Sequence, residues 1–362
     1  MYSEFHITSP TLPAYSPTLM IISNCRPNSG WGTYTENLTN AVKNKAETVF
    51  LFGSSNLGCS GQNIYALDPS RASEAVARAF PQLFFRNLIK QIRGRRKEGL
   101  VLHYSYNLLP YIGHTHDDIV TIHDMLFLGR YSRDGFIKSE YSRRLLSKYM
   151  SFRNIITVSE YTKNGLQALG CETDIEVIHP PYPGYFNRVN DRLLARKSLG
   201  LPLDKILILS PSNNKPWKNL ANVSKAMKEL GEEYLLVRIG DDIGTGISFS
   251  NVDPGMLNMI YNSCDLLLFP SLEEGFGFPV VEAMKVGIPA VVSDIEIFHE
   301  VGGNAVCYVD PNNVASIVDG VKNALDQKEQ FSKLGMERSK EFSQDIFEKK
   351  LYSYYRKVIS NF

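Results

Sequence analysis

Seven residues separate Glu274 from Glu282, and between them the chain reads Gly275, Phe276, Gly277, Phe278, Pro279. An apolar run ends at Phe269, a glycine loop follows, and Pro279 suits a first helical position, where a missing N–H costs nothing. A glycine loop feeding a helix N-terminus presents free amides at the positive end of a dipole, a natural cradle for a phosphate or a sugar hydroxyl. A carboxylate beside a diphosphate would repel it. The chemistry open to these two acids is therefore acceptance of hydrogen bonds from vicinal hydroxyls, a ribose diol for one and a hexose hydroxyl for the other. The competing reading for Glu282 is a plain helix-start acid, favoured there by the dipole.

Three further groups carry chemistry. Lys215 and Lys218 lie between an apolar run, Ile206–Ser210, and a helical pattern beginning at Leu220. They read as phosphate-facing cations or as solvated surface charge. Thr121-Ile122-His123-Asp124 closes another apolar run, and polar residues at the carboxyl end of a parallel strand mark a site. The competing reading of His123 is a satisfied strand-end histidine. Gly30-Trp31-Gly32 follows the run Leu19–Ser23 and opens a helical pattern over Thr33–Asn44. This is a second glycine loop at a helix start, without the G-x-G-x-x-G spacing of a dinucleotide fingerprint.

The elements that must position these residues are short apolar runs alternating with amphipathic stretches along the whole chain, the signature of βαβ units and parallel sheets. With 362 residues, two domains are expected. His179-Pro-Pro-Tyr-Pro-Gly184 can continue neither a helix nor a central strand, so the boundary falls there: 1–184 as the first domain and 185–345 as the second. A net charge of +1 implies no global attraction to nucleic acid. Cys25, Cys59, Cys171, Cys264 and Cys307 are scattered and include no C-x-x-C, which points to a reducing, cytoplasmic setting without a zinc site. No apolar run approaches the ~20 residues of a membrane span. Residues 86–97 and 138–153 are rich in Lys and Arg. They read equally as basic helices lying on the inner face of an anionic membrane and as solvated faces.

The stretch Glu274, Gly275, Phe276, Gly277, Pro279, Glu282, Ala283, then Gly287 and Pro289, resembles the group 1 retaining glycosyltransferases of GT-B fold, mannosyltransferase-like members among them. The resemblance extends through His299-Glu-Val-Gly-Gly303 and Val309-Asp-Pro311. It implies two Rossmann-like domains facing across a cleft, with residues 346–362 as a last helix crossing back to the first domain. The second domain would hold a GDP- or UDP-sugar donor, and the first a glycan or lipid-linked acceptor. The resemblance further implies that Glu274 contacts the transferred sugar, that Glu282 grips the ribose, and that amides of the Gly275–Gly277 turn hold donor hydroxyls or phosphate. Lys218 would bind the diphosphate, with Lys215 a substitute for a second cation, since the arginine common in such proteins falls on Ser212. Gly30 and Gly32 would approach the donor phosphate, His123 the donor sugar, and Asp124 would support His123.

No D-x-D occurs, so the expected transfer is metal-independent and needs no cofactor. Two rival readings stand beside it: a non-catalytic nucleotide-sugar-binding protein and a nicotinamide-dependent Rossmann enzyme.

Overall fold

The structure is a computed structural model, and it describes residues 19–23, 30–42, 46–50, 64–66, 101–105, 115–126, 143–189 and 191–359. Two compact units divide the chain. One comprises Met1–Val158, Thr162–Pro180 and Phe347–Phe362; the other comprises Ser159–Tyr161 and Pro181–Ile346.

The first unit is built on a parallel sheet of seven strands in the order β3-β2-β1-β4-β5-β6-β7. The strands are β1 (Leu19–Ser23), β2 (Ala46–Phe50), β3 (Ile64–Ala66), β4 (Val101–Tyr104), β5 (Ile119–Ile122), β6 (Asn154–Thr157) and β7 (Ile175–Val177). β4 and β5 are buried at every residue, which is why neither alternates apolar side chains with exposed polar ones. The chain reverses its direction of travel across the sheet between β1 and β4, the place where α/β sheets open a crevice at their carboxyl edge.

The last helix, Gln344–Val358, is tied to this first sheet by a buried polar chain. Tyr355 OH lies 2.6 Å from His103 Nδ1, His103 Nε2 lies 2.7 Å from Thr121 Oγ1, and Thr121 Oγ1 lies 3.0 Å from Tyr34 OH. Four elements meet in that chain: the last helix, β4, β5 and the helix Gly30–Val42. Tyr352 adds a hydrogen bond from its hydroxyl to the Ala41 carbonyl at 2.8 Å.

The second unit repeats the plan with six parallel strands in the order β10-β9-β8-β11-β12-β13. These are β8 (Ile206–Pro211), β9 (Tyr234–Ile239), β10 (Ile247–Phe249), β11 (Leu266–Phe269), β12 (Ala290–Ser293) and β13 (Cys307–Val309). Ile208, Leu236, Leu266, Leu268, Val291 and Val309 pack against Leu220, Val223 and Met227 of one helix and Ile317 and Val321 of another. Each such side chain contributes roughly 1.5–3 kcal/mol by leaving water. Gly320 lets its helix approach the sheet, because a Cβ there would meet Val309 Cγ1 at 2.2 Å. The reversal point of this sheet lies between β8 and β11, so the loops after those two strands flank one crevice.

Several elements differ from the sequence expectation. The first helix begins at Gly30 rather than Thr33, so Gly30 and Gly32 lie inside its first turn and not in a loop ahead of it. Helices Arg192–Ser198, Glu296–Gly302 and Lys328–Ser339 were not anticipated. The first two are only seven residues long, and the third carries mainly polar side chains, so none shows a strong apolar stripe. The basic stretch 86–97 and residues 138–142 of the other lie outside the described residues. No helix among the described residues is long and apolar enough to cross a membrane.

Candidate functional site

The site of the second unit grows from the two loops at its reversal point. After β8 the chain makes one 3-10 turn, Pro216–Lys218, and Asn219 follows in the left-handed region with φ of 56°. Asparagine tolerates that conformation better than most residues. Its side chain does not cap the helix Leu220–Leu230 that follows. It donates instead to the carbonyls of Pro270 at 3.1 Å and Pro311 at 2.7 Å, lashing together the loops after β8, β11 and β13. The Leu272 amide donates to the Trp217 carbonyl at 2.7 Å and completes the tie between the first two loops.

This scaffold brings Lys218 and Glu274 together: Nζ lies 2.5 Å from Oε1, in a pair exposed by only 15% and 12%. The ammonium also lies 5.0 Å from the centre of the Phe269 ring. Lys215 is exposed, and its ammonium makes no hydrogen bond or ion pair to any described residue.

Gly275, Phe276 and Gly277 form the turn below Glu274. Gly277 precedes the helix Phe278–Val286 with φ of 95°, and a Cβ there would meet Phe298 Cε1 at 2.8 Å. Phe276 is buried and packs edge-on against Phe278 and Phe342, so its side chain anchors the turn rather than facing a ligand. The Gly275 carbonyl accepts the Ser159 hydroxyl at 2.8 Å. Glu300 takes the Glu160 and Tyr161 amides at the start of the helix Glu160–Ala168, where orphan donors need a partner.

Glu282 lies within the helix and is 8% exposed. Its Oε2 accepts the hydroxyl of Tyr261 at 2.5 Å, and Oε1 has no hydrogen-bond partner among the described residues. Burial pushes this carboxyl up to about 7, while the Tyr261 hydrogen bond pulls the other way.

Two participants escaped the sequence reading. Tyr261 lies in the helix Pro254–Ser263, and nothing in the local sequence marks it as the partner of an acid. Arg238 is wholly buried at the carboxyl end of β9 and donates to the carbonyls of Ser212 at 3.0 Å and Asp241 at 3.2 Å. It thus stands beside the residue at which a second cation was expected and missed. A lone arginine within the run YLLVRI was the available signal. Arg238 Nε, Ser271 Oγ and Ser293 Oγ are buried without partners, and all three lie at or just past the carboxyl ends of strands. Buried polar atoms are rarely left so, and a crevice that receives a polar ligand is one place they are.

In the first unit the reversal point gathers hydroxyls. Thr35 Oγ1 lies 3.1 Å from Ser23 Oγ and 3.0 Å from Ser105 Oγ. His123 Nε2 donates to the Ser105 carbonyl at 2.8 Å, because a carbonyl can only accept. Its ring meets Tyr34 edge-on at 4.6 Å, with Trp31, the residue between Gly30 and Gly32, at 6.5 Å. Burial lowers His123 to about 4, so the imidazole is neutral at physiological pH. Asp124 accepts the Leu126 amide at 3.0 Å.

Known proteins resemble this chain in sequence and in fold. Residues 191–341 match the family described as glycosyl transferases group 1. The O-antigen chain mannosyltransferase of Salmonella typhimurium is 28% identical over 247 residues, covering 64% of this chain and 65% of that protein. A D-inositol 3-phosphate glycosyltransferase of Mycobacterium leprae is 27% identical over 52% of this chain and 50% of its own. The matches thus span between half and just under two thirds of these relatives.

Among solved structures, sucrose-phosphate synthase from Thermosynechococcus elongatus superposes with a TM-score of 0.78 at 15% identity, over 94% of this chain and 99% of that one. Anabaena HepE, solved in complex with UDP and glucose, gives 0.77 at 13% identity over 94% and 100%. Residues 191–341 are thus a segment that matches the group 1 glycosyl transferases, and the chain shares the GT-B fold of these solved structures.

Proposed function

We propose that the protein is a retaining hexosyltransferase that moves a sugar, mannose first among the candidates, from a nucleotide-diphosphate donor to a glycan or lipid-linked glycan. The observation that carries this reading is the Lys218–Glu274 pair at the reversal point of the second sheet, above the Gly275–Gly277 turn. A cation for the diphosphate and an acid for sugar hydroxyls stand where α/β sheets bind their ligands. The name of the Salmonella relative supports mannose, and the UDP and glucose in the HepE crystal support a nucleotide-sugar donor.

In this reading the second unit, with a boundary near 184–185, holds the donor, and the first holds the acceptor. Lys218, aided by Lys215, neutralises the departing diphosphate, and the turn amides hold donor hydroxyls. Glu282 grips the ribose. The acceptor oxygen bonds to the anomeric carbon as the bond from that carbon to the phosphate oxygen breaks. The acceptor proton passes to the departing phosphate on the same face, which preserves the anomeric configuration. Neutral His123 contributes a fixed dipole near the sugar rather than a proton, and Gly30 and Gly32 admit the phosphate to their helix start.

Charge neutralisation by lysine and amides makes the transfer independent of metal. Contact with an anionic membrane surface is proposed separately, on the exposed Arg143, Arg144, Lys148 and Arg153. Equal recovery of the protein in the supernatant with anionic and neutral liposomes would dismiss it.

A thermal-shift screen of nucleotide sugars, followed by radiolabelled transfer with and without EDTA, tests the main reading. A ligand at 100 times its Kd should stabilise by about 2.7 kcal/mol. Binding without transfer to any acceptor would favour a non-catalytic binding protein. Activity lost in EDTA and restored by Mn²⁺ would overturn metal independence.

A further inference from the structure

We propose that Tyr261 is a positioning residue for donor binding: its hydroxyl fixes the Glu282 carboxylate so that the free oxygen faces the ribose diol of the nucleotide. This rests on the reading of Glu282 as the ribose ligand. The geometry is specific. Tyr261 is wholly buried, its hydroxyl lies 2.5 Å from Glu282 Oε2, and Oε1 is left without a partner among the described residues. The tyrosine ring cannot swing away, because Phe186 packs edge-on against it at 5.0 Å.

The segment carrying Phe186 is itself pinned to the Tyr261 helix. The Asn187 amide donates to Asn258 Oδ1 at 3.0 Å, and the Val189 amide to Asn262 Oδ1 at 2.8 Å. The hydroxyl thus reaches the carboxylate from a rigid element, as a group that sets another's orientation must.

The hydrogen bond also decides the charge of the acid. Burial favours the protonated form of Glu282, and among the described residues the Tyr261 hydroxyl opposes it. Of the groups on elements packed around the pair, Tyr185 and Cys264 act on the Tyr261 hydroxyl, and no lysine or arginine acts on Glu282. An ionised carboxylate accepts two hydroxyl hydrogen bonds better than a carboxylic acid does. Donor affinity should therefore fall as pH drops through the titration of Glu282, and loss of the tyrosine hydroxyl should move that fall to higher pH.

Calorimetric titration of the full chain with GDP-mannose and with UDP-glucose between pH 5.5 and 8.5 tests this, since neither diphosphate diester titrates in that range. Wild type should lose affinity toward acid pH. Tyr261→Phe should move that limb upward by about one pH unit, weakening binding roughly fivefold at pH 7. Glu282→Gln should bind weakly without a limb. Phenylalanine keeps the ring against Phe186. Should Tyr261→Phe still fold poorly, the double variant E282Q/Y261F makes the same comparison without stranding a carboxylate, and it should bind like E282Q alone. An unmoved limb in Tyr261→Phe, no limb in wild type, or a double variant weaker than E282Q would overturn the role of Tyr261 while leaving the enzyme assignment intact. Failure of wild type to bind either nucleotide sugar at any pH would overturn both.

Discussion

Lys218 and Glu274 meet at 2.5 Å across the mouth of the second sheet, the cation and the acid assigned to opposite ends of the donor bonded to each other. In the proposed function, a diphosphate arriving at Lys218 would compete for its ammonium and free Glu274 to accept sugar hydroxyls, which would link phosphate recognition to sugar recognition through one exchange. Glu274→Gln removes the acceptor but keeps the shape, and should lower kcat by about 10²-fold or more. Lys218→Met should lower kcat/KM at least as far, and should also strand a largely buried carboxylate. Steady-state kinetics on both variants checks the pair, and a near-normal rate in Glu274→Gln would remove that residue from the mechanism.

Gly277→Ala should damage the turn directly. Its φ of 95° is strained for any side chain, and a methyl group would lie 2.8 Å from a ring carbon of Phe298. The expected cost is about 1–3 kcal/mol, with weaker donor binding because the turn amides shift. Chemical denaturation measures the first effect and donor titration the second. Wild-type values in both would contradict the strained geometry.

Glu282 makes the second unit sensitive to pH in a defined direction. Its folded pKa of about 7 lies above the ordinary value of 4.5, so between these pH values the folded state holds a proton that the unfolded state has released. Stability therefore falls as pH rises from 4.5 to 7, by no more than about 3 kcal/mol, and levels off above. Glu282→Gln should abolish this slope and gain on wild type toward pH 8. Thermal unfolding of both proteins across that range decides it, and parallel curves would contradict the buried carboxyl.

His103 and His123 make the opposite contribution in the first unit. Burial lowers them to about 3 and about 4, so stability is complete above pH 6.5 and is lost as the pH falls below it. Tyr355→Phe tests the network around His103, since it removes the hydroxyl at 2.6 Å from Nδ1 and leaves that nitrogen unsatisfied. The expected loss is about 1–3 kcal/mol, read by urea denaturation at pH 7.5. An unchanged midpoint would mean that the Tyr355–His103 hydrogen bond adds nothing to the hold on the last helix.

The sequence by itself determined the fold class, the resemblance to group 1 glycosyltransferases and the candidate members of a donor site. Strand–loop–helix alternation and the spacing of Glu274, Gly275, Gly277, Pro279 and Glu282 are local patterns, and local patterns survive in one dimension. The tertiary structure alone decided who meets whom. Lys218 and Glu274 are 56 positions apart and touch only because β8 and β11 are neighbours at a reversal of strand order. Tyr261 becomes a partner of Glu282, and Arg238 a neighbour of Ser212, by the packing of helices and strands distant in the chain. Sequence periodicity reports which side of an element is buried, but not which buried group it will find there.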